Sequence, residues 1–341
     1  MPFNSEVIEM AHGGGGRISQ ELIHQLFIPA FGPADGVLHD AAVLNSPGQR
    51  LAFTTDSYVV RPLFFPGGDI GQLSVYGSIN DLAMTGASAR VLSMGMIIEE
   101  GLPISTLEKV VHSIRQAADQ SGVKIVTGDT KVVEKGKGDG LFINTSAIGV
   151  LEHNQHIHPS AVKPGDAVLV SGDLGRHGVA IMIARNELGF RSQIESDLES
   201  LQSTVQELLE TGVELHCLRD LTRGGLASAI DEIARGATCG VELEEETIPL
   251  CDSVRNTCSL LGLEPLSMAN EGRMVVICPE NDADQALAIL RNHHVEACRI
   301  GKIEKSAEAS RNRLHPVSLK NSLGVRRPLD IQRGEYLPRI C

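Results

Sequence analysis

Two successive blocks of alternating strand-length and helix-patterned segments, split by the polar, proline-containing link HNQHIHPSAVKPGD, constrain this chain to two mixed α and β domains. In the first block LAFTTD, ARVLSMGMII, VKIVTG and LFINTSAIGVLE are β-branched or apolar runs of strand length. Helices are predicted around Gly71–Thr85 and Ser105–Ser121, the second with Pro103 and Ser105 as start signals and Gly122 as its stop. In the second block AVLVSG, CGVELEE, RMVVICP and EACRIGKI read as strands. Helices are predicted at about His177–Glu187, Ser196–Thr211, Gly225–Gly236 and Val254–Leu261, and over DADQALAILRNH. The polar stretch Gln193–Glu210 suits a surface helix, and from about Arg311 the pattern fades. No tandem repeat interrupts this order. The predicted class is α/β and α+β, with domains 1–155 and 156–320 and a flexible tail over 321–341.

A chain of 341 residues exceeds one ordinary core, in agreement with two domains. The formal net charge of −13 argues against nucleic acid or an anionic membrane as partner. No apolar run reaches the roughly 18 residues of a membrane span, and MPFNSEVIEM lacks the pattern of a signal peptide, so a cytoplasmic location is expected. Seven cysteines without a CxxC pair do not form a disulfide framework or a zinc site.

Four aspartates stand at the ends or edges of apolar runs: Asp40 in LHDAAVL, Asp56 in AFTTDSYV, Asp81 in SINDLAM and Asp129 in IVTGDTKV. A fifth, Asp220, lies in LRDLTRGG. A carboxylate beside buried apolar residues is costly unless compensated. Magnesium compensates where phosphates are present, taking a few carboxylates and completing its shell with phosphate and water. Any one of these residues alone reads more simply as a turn or cap residue; five in similar settings favour a metal–phosphate site.

Glycine-rich stretches accompany them. HGGGGRIS contains Gly13, Gly14, Gly15 and Gly16, and TRGG (Arg223, Gly224, Gly225) opens a helix after Asp220. Neither a P-loop nor a GxGxxG follows a strand. Lys131 shares a strand face with Asp129 and suits a phosphate, unless it is an ordinary surface lysine. Glu271 precedes an apolar strand, as a base or as a loop carboxylate. His153, His156 and His158 form HxxHxH, but no cysteine or carboxylate cluster completes a metal site around them.

The last residue is Cys341, on a basic segment. From Leu323 onward Arg326, Arg327, Arg333 and Arg339 outweigh Asp330 and Glu335, a side-chain balance of +2 against an acidic body. A thiol on a mobile chain end can carry a covalent group to a distant site. About 18 residues at ~3.3 Å each span some 60 Å.

The order HGGGG, HDAAV, TTDSY, SINDLAMTGA, TGDTKV, DLTRGG and ANEG resembles the aminoimidazole-ribonucleotide-synthetase-like superfamily, which includes selenophosphate synthetase and thiamine monophosphate kinase. The resemblance covers essentially the whole chain. It implies an N-terminal α/β domain that dimerises, a C-terminal α+β domain, and ATP between them on magnesium held by Asp40, Asp56, Asp81, Asp129 and Asp220. It further implies nucleotide contacts from Gly13 to Gly16, Asn80, Arg223, Gly224 and Gly225.

Within that superfamily the PRIC terminus resembles the hydrogenase-maturation carbamoyl dehydratases. Selenophosphate synthetases carry a reactive Cys or Sec early in the chain, whereas no cysteine occurs here before Cys217. The implied chemistry is ATP-dependent dehydration of a carbamoyl group on Cys341 to a thiocyanate, with Glu271 as the stronger candidate for the base and Lys131 assisting. The implied partners are a carbamoyltransferase that loads Cys341 and an iron-holding maturation scaffold that accepts cyanide. The alternatives are a small-molecule kinase or synthetase of the same superfamily, and a nucleotide-binding docking scaffold whose cysteine carries nothing.

Overall fold

The computed structural model describes residues 16–22, 24–25, 41–46, 48–185, 193–305 and 316–329. A short helix α1 (Arg17–Leu22) precedes β1 (Ala42–Ser46) and β2 (Gln49–Tyr58). After a small hairpin of β3 (Phe64–Phe65) and β4 (Gly68–Asp69) come α2 (Ile70–Met84), β5 (Ser88–Glu99), α3 (Ile104–Ser121), β6 (Lys124–Val133) and β7 (Leu141–Leu151). The five long strands form one sheet in the order β1-β2-β7-β5-β6, with only β5 and β6 parallel.

Strand alternation gives this sheet two unlike faces. Ala52, Thr54 and Tyr58 of β2 and Ile143, Thr145 and Ala147 of β7 are buried. They belong to the side that carries α2 and α3. Phe53 and Ile148, which are register partners, are exposed on the other side together with Ile97. Helix α2 is buried almost all round. Its start is fixed by Asp69, whose carboxylate accepts from the N–H groups of Gly71 and Gln72. Helix α3 ends where the sequence places its stop, at Gly122 in the left-handed conformation (φ 68°), whose N–H returns to Ala118 and Asp119.

The second block supplies β8 (Ala167–Val170), α4 (Arg176–Ala184), α5 (Gln202–Glu210), β9 (Cys217–Asp220), α6 (Gly225–Ala237) and β10 (Gly240–Glu244). It continues with α7 (Asp252–Leu261), β11 (Met274–Cys278), α8 (Ala283–His293), β12 (Cys298–Glu304), β13 (Val317–Lys320) and β14 (Arg326–Pro328). Seven strands form a sheet in the order β14-β13-β10-β12-β8-β11-β9. Alternate residues feed two cores: Val168, Val170, Val275 and Ile277 pack with Leu226, Ile230 and Ile233 of α6. Leu169, Met274 and Val276 pack with Val205 and Leu208 of α5 and with Ile289 and Leu290 of α8. The core of the first block also runs into Val179 and Ile181 of α4 and into Met268, so the two halves share apolar contact.

The helix expected over Ser196–Thr211 begins at Gln202; residues 193–201 form no regular element. Their polar groups are taken by distant partners rather than by water: Ser196 N–H donates to Pro66 O at 2.9 Å and Leu201 N–H to Asn80 Oδ1 at 2.8 Å. Residues 321–329, expected to begin the tail, belong to the second sheet. β14 pairs antiparallel with β13, and Leu329 N–H donates to Val317 O at 3.0 Å. Arg326 pairs with the buried Glu242 and with Glu304, and Arg327 with Glu245, so the first two tail arginines belong to the sheet. Among the described residues no helix is long and apolar enough to cross a membrane.

Candidate active site

The two halves meet where α2, the irregular segment 193–201 and the turn before β11 come together. Asn80, from α2, is the joint. Its side-chain amide donates to the carbonyls of Glu199 (3.0 Å) and Glu271 (3.2 Å), and its Oδ1 accepts from Leu201. Both ends of this amide, which the resemblance assigns to nucleotide binding, are therefore engaged with backbone groups.

Glu271 is fully buried beside this joint, and its Oε1 has no hydrogen-bond partner. Burial holds the carboxyl well above the ordinary carboxylate range; Asp220, Asp197 and Asp56 push it further the same way, while Arg223 opposes them. Tyr58 is governed similarly: burial raises its hydroxyl, and Asp56, Asp81 and Glu271 add to the rise. Carboxylates from both domains thus converge on one region. Asp56 and Asp81 come from β2 and α2, Asp220 and Glu271 from the end of β9 and the turn before β11. Asp81 accepts from Thr54 Oγ1 at 2.7 Å, Asp56 from the N–H of Ser57, and Asp220 from Thr222 Oγ1 at 3.4 Å.

Arg223 lies in the turn that opens α6, between Asp220 and two glycines in the left-handed conformation, Gly224 (φ 77°) and Gly225 (φ 57°). At Gly225 a side chain would meet Met268 O at 2.5 Å and Leu266 O at 2.6 Å, so glycine lets the helix start press against that turn. Gly16 is buried. Gly13, Gly14, Gly15, Asp40 and Cys341 lie outside the described residues.

Asp129 and Lys131 share a face of β6, as their spacing predicts, and pair at 2.8 Å with each side chain 69% exposed. That pairing holds Asp129 below the ordinary carboxylate range. They stand on the edge strand of the first sheet, facing solvent rather than the buried surroundings of Glu271. The histidine trio has local structural roles. His153 contacts Thr85 O and accepts from Gln155 N–H, and burial lowers its proton affinity. His158 caps the turn at Ser160, and His156 contacts the same hydroxyl.

Asp197 is the site residue that sequence reasoning missed. Buried in segment 193–201, it accepts from His177 N–H (3.1 Å) with one oxygen and from Gly272 N–H (3.2 Å) with the other. Inside a polar run it resembled a solvated helix residue. The signal that could have found it is the pair of N–H groups it serves, which lie far from it in sequence.

Among the described residues no group of three or more His, Cys, Asp or Glu is close enough to hold a metal ion by itself. The donor set still suits magnesium, which takes one or two carboxylates per ion and fills its shell with phosphate and water.

Residues 38–151 match the N-terminal domain of the AIR synthase related proteins, and residues 163–311 match the C-terminal domain. The carbamoyl dehydratase HypE of Cupriavidus necator is 46% identical over 98% of this chain and 95% of its own. The crystal structure of hydrogenase maturation protein HypE in complex with ATP superimposes with a TM-score of 0.81, at 45% identity over 98% of this chain and all of that one. A crystal structure of a HypE–HypF complex gives a TM-score of 0.84, at 42% identity over 91% of this chain and 99% of that one.

Proposed function

The chain belongs to the HypE carbamoyl dehydratases, a branch of the AIR synthase related proteins, and from that membership we propose that it dehydrates a carbamoyl group on Cys341 to a thiocyanate at the expense of ATP. The thiocyanate supplies the cyanide ligand for [NiFe]-hydrogenase assembly. The observation that carries the reading is Glu271, a buried carboxyl with an unpartnered oxygen at the junction of two domains. Such a group binds a proton avidly, as abstraction of an amide N–H proton demands.

The chemistry balances as follows. The carbamoyl oxygen attacks the γ-phosphorus and ADP leaves. The nitrogen gives one proton to Glu271, leaving a phosphorylated thioimidate. Loss of phosphate with the second N–H proton forms S–C≡N. One proton ends on inorganic phosphate and one is released. Phosphorylation converts an oxide leaving group into phosphate, and the protein contributes by positioning and electrostatics.

Asp56, Asp81 and Asp220 are the described carboxylates suited to hold magnesium, with Asp40 and Asp129 as the further candidates from the resemblance. Bound with ATP, magnesium supplies positive charge against the phosphates and the crowded carboxylates. Arg223 and the N–H groups at the start of α6 suit phosphate oxygens. Asn80 fixes the backbone of Glu271, and Lys131 is a further candidate for proton transfer.

HypF, seen in complex with a HypE 42% identical to this chain, is the proposed source of the carbamoyl group, and an iron-holding maturation protein its recipient as cyanide. The exposed apolar residues Phe53, Ile97, Val126 and Ile148 on the outer face and edge of the first sheet support a homodimer through that sheet. Sedimentation of the purified protein tests the dimer.

Intact mass spectrometry with the carbamoylating partner, carbamoyl phosphate and ATP tests the reaction. An adduct of about +43 Da on the Cys341 peptide should lose about 18 Da only with hydrolysable ATP. An unmodified peptide beside an active partner refutes the reading.

A further inference from the structure

Asn80 holds the carbonyl of Glu271 from the first domain, and two residues after Glu271 the chain buries an arginine that the proposed chemistry does not use. Arg273 is 6% exposed, and its guanidinium is divided among three separate pieces of chain. Nε donates to Asp173 O at 3.2 Å and Nη2 to Asp173 Oδ1 at 3.4 Å. Nη1 donates to Glu199 Oε1 at 2.7 Å and to Gly272 O at 2.8 Å. The loop leaving β8 lies so close that a side chain at Gly172 would meet Nε at 2.6 Å.

These bonds close a ring. Asn80 Nδ2 donates to Glu199 O and to Glu271 O. Arg273 Nη1 grips the carboxylate of the same Glu199 and the carbonyl of Gly272, the residue that joins it to Glu271. From Asn80 the path runs through Glu199, Arg273 and Gly272 to Glu271, and back to the same amide. The turn that carries Glu271 is thus held from two sides, by α2 of the first domain and by the guanidinium.

The backbone of Arg273 ties this ring to Asp220. Asn270 N–H donates to Leu221 O at 2.9 Å, and Leu221 N–H to Arg273 O at 3.0 Å. The two bonds bracket Glu271 and Gly272 against the residue that follows Asp220, and Met274 is the register partner of Asp220 itself. The spacing between the proposed base and a proposed magnesium ligand therefore passes through residue 273. A buried ion pair adds little net stability, because apolar residues of equal volume do as well. What arginine adds is direction: its planar fork fixes the angles between its acceptors, which an ammonium on a flexible stem does not.

We propose that Arg273 is a positioning residue for the dehydration, closing the ring that keeps Glu271 aimed at the carbamoyl nitrogen and at a fixed spacing from Asp220. It acts through Glu271, and Glu199 is the acceptor through which it reaches the joint at Asn80. The inference rests on the function proposed above.

The test uses the full chain, carbamoylated on Cys341, in single turnovers started with ATP and magnesium and read as loss of water from the terminal peptide. Glu199→Ala, at a partly exposed position, removes the acceptor and should slow conversion about tenfold while the ATP concentration for half-maximal rate stays unchanged. Glu199→Gln keeps an accepting oxygen and should recover most of that rate. Arg273→Lys keeps the charge without the fork and should slow conversion at least about tenfold with the same split. A role in folding alone lowers the amount of protein that converts, not the rate constant of the protein that does. A wild-type rate constant in Glu199→Ala overturns the proposal even if Arg273→Lys fails to fold. So does slowing that a loss of ATP affinity explains, or a Glu199→Gln variant as slow as Glu199→Ala. Wild-type protein that never loses water instead overturns the function itself, so the two failures are distinct.

Discussion

Asn80 and Glu271, 191 residues apart, are joined by a hydrogen bond from the asparagine amide to the glutamate carbonyl at 3.2 Å. The same amide holds Glu199 O and Leu201 N–H. One side chain of the first domain thereby sets the backbone of the proposed base in the second. Asn80→Ala should leave three buried backbone groups without this partner and cost about 1–3 kcal/mol at least. Chemical denaturation measures that loss. Conversion of carbamoylated protein should fall more than ATP binding does, and equal effects on both would show that Asn80 acts mainly on the nucleotide.

Glu271→Gln should abolish conversion and stabilise the nucleotide-free protein at neutral pH. The sign follows from the raised proton affinity of Glu271. Below the ordinary carboxylate value of about 4.3 the residue is protonated whether the chain is folded or not, and costs nothing. As pH rises through that value only the unfolded chain ionises, so stability is lost until the folded carboxyl ionises too. Melting curves of wild type and variant should coincide near pH 4 and separate as pH increases. A constant offset at all pH values would contradict the assignment.

Gly272→Ala should inactivate the enzyme without touching any titratable group. A methyl group there would sit 1.9 Å from Asp197 O and 2.6 Å from Glu199 Cγ, so segment 193–201 must move. Single-turnover conversion should drop at least about tenfold, because small misplacements of a base are costly. A wild-type rate would mean that the clamp between Asp197 and Gly272 is unimportant.

Arg326→Ala should cost about 1–3 kcal/mol, since it strips a cation from the buried carboxylate of Glu242. Lys302, 3.5 Å from the same carboxylate, limits the loss. In the Glu242→Gln background the arginine substitution should have a much smaller effect on the unfolding midpoint. Undiminished destabilisation there would place the role of Arg326 elsewhere.

Cys341→Ser should bind ATP and melt like the wild type, yet acquire no carbamoyl adduct from the partner. Intact mass reads this directly, and an adduct on the variant would locate the carrier at another residue.

The acids at strand ends drew notice because burying a carboxylate next to apolar residues requires a reason; Asp56 and Asp220 act electrostatically on Glu271, and Asp56 and Asp81 on Tyr58, while Asp129 is exposed on β6. Helices α2 and α3 were legible in the sequence, the second with its stop at Gly122. Asp197 was not, because a polar run gives the same pattern whether water or distant N–H groups satisfy it. The roles of Asn80 and Arg273 depend on which backbone segments become neighbours, and no local periodicity carries that. Arg326 and Arg327 read only as part of a basic tail because their partners, Glu242 and Glu245, lie some eighty residues earlier.

The pairing of β14 with β13 fixes the chain as far as Leu329, which is 3% exposed. Only residues 330–341 then separate the sheet from the thiol of Cys341. Twelve residues extend to at most about 40 Å, a third less than a tail counted from residue 323. The sheet edge is therefore the zero mark of a ruler whose graduations are residues. Each one inserted or deleted beyond Leu329 shifts the farthest reach of the Cys341 thiol by ~3.3 Å.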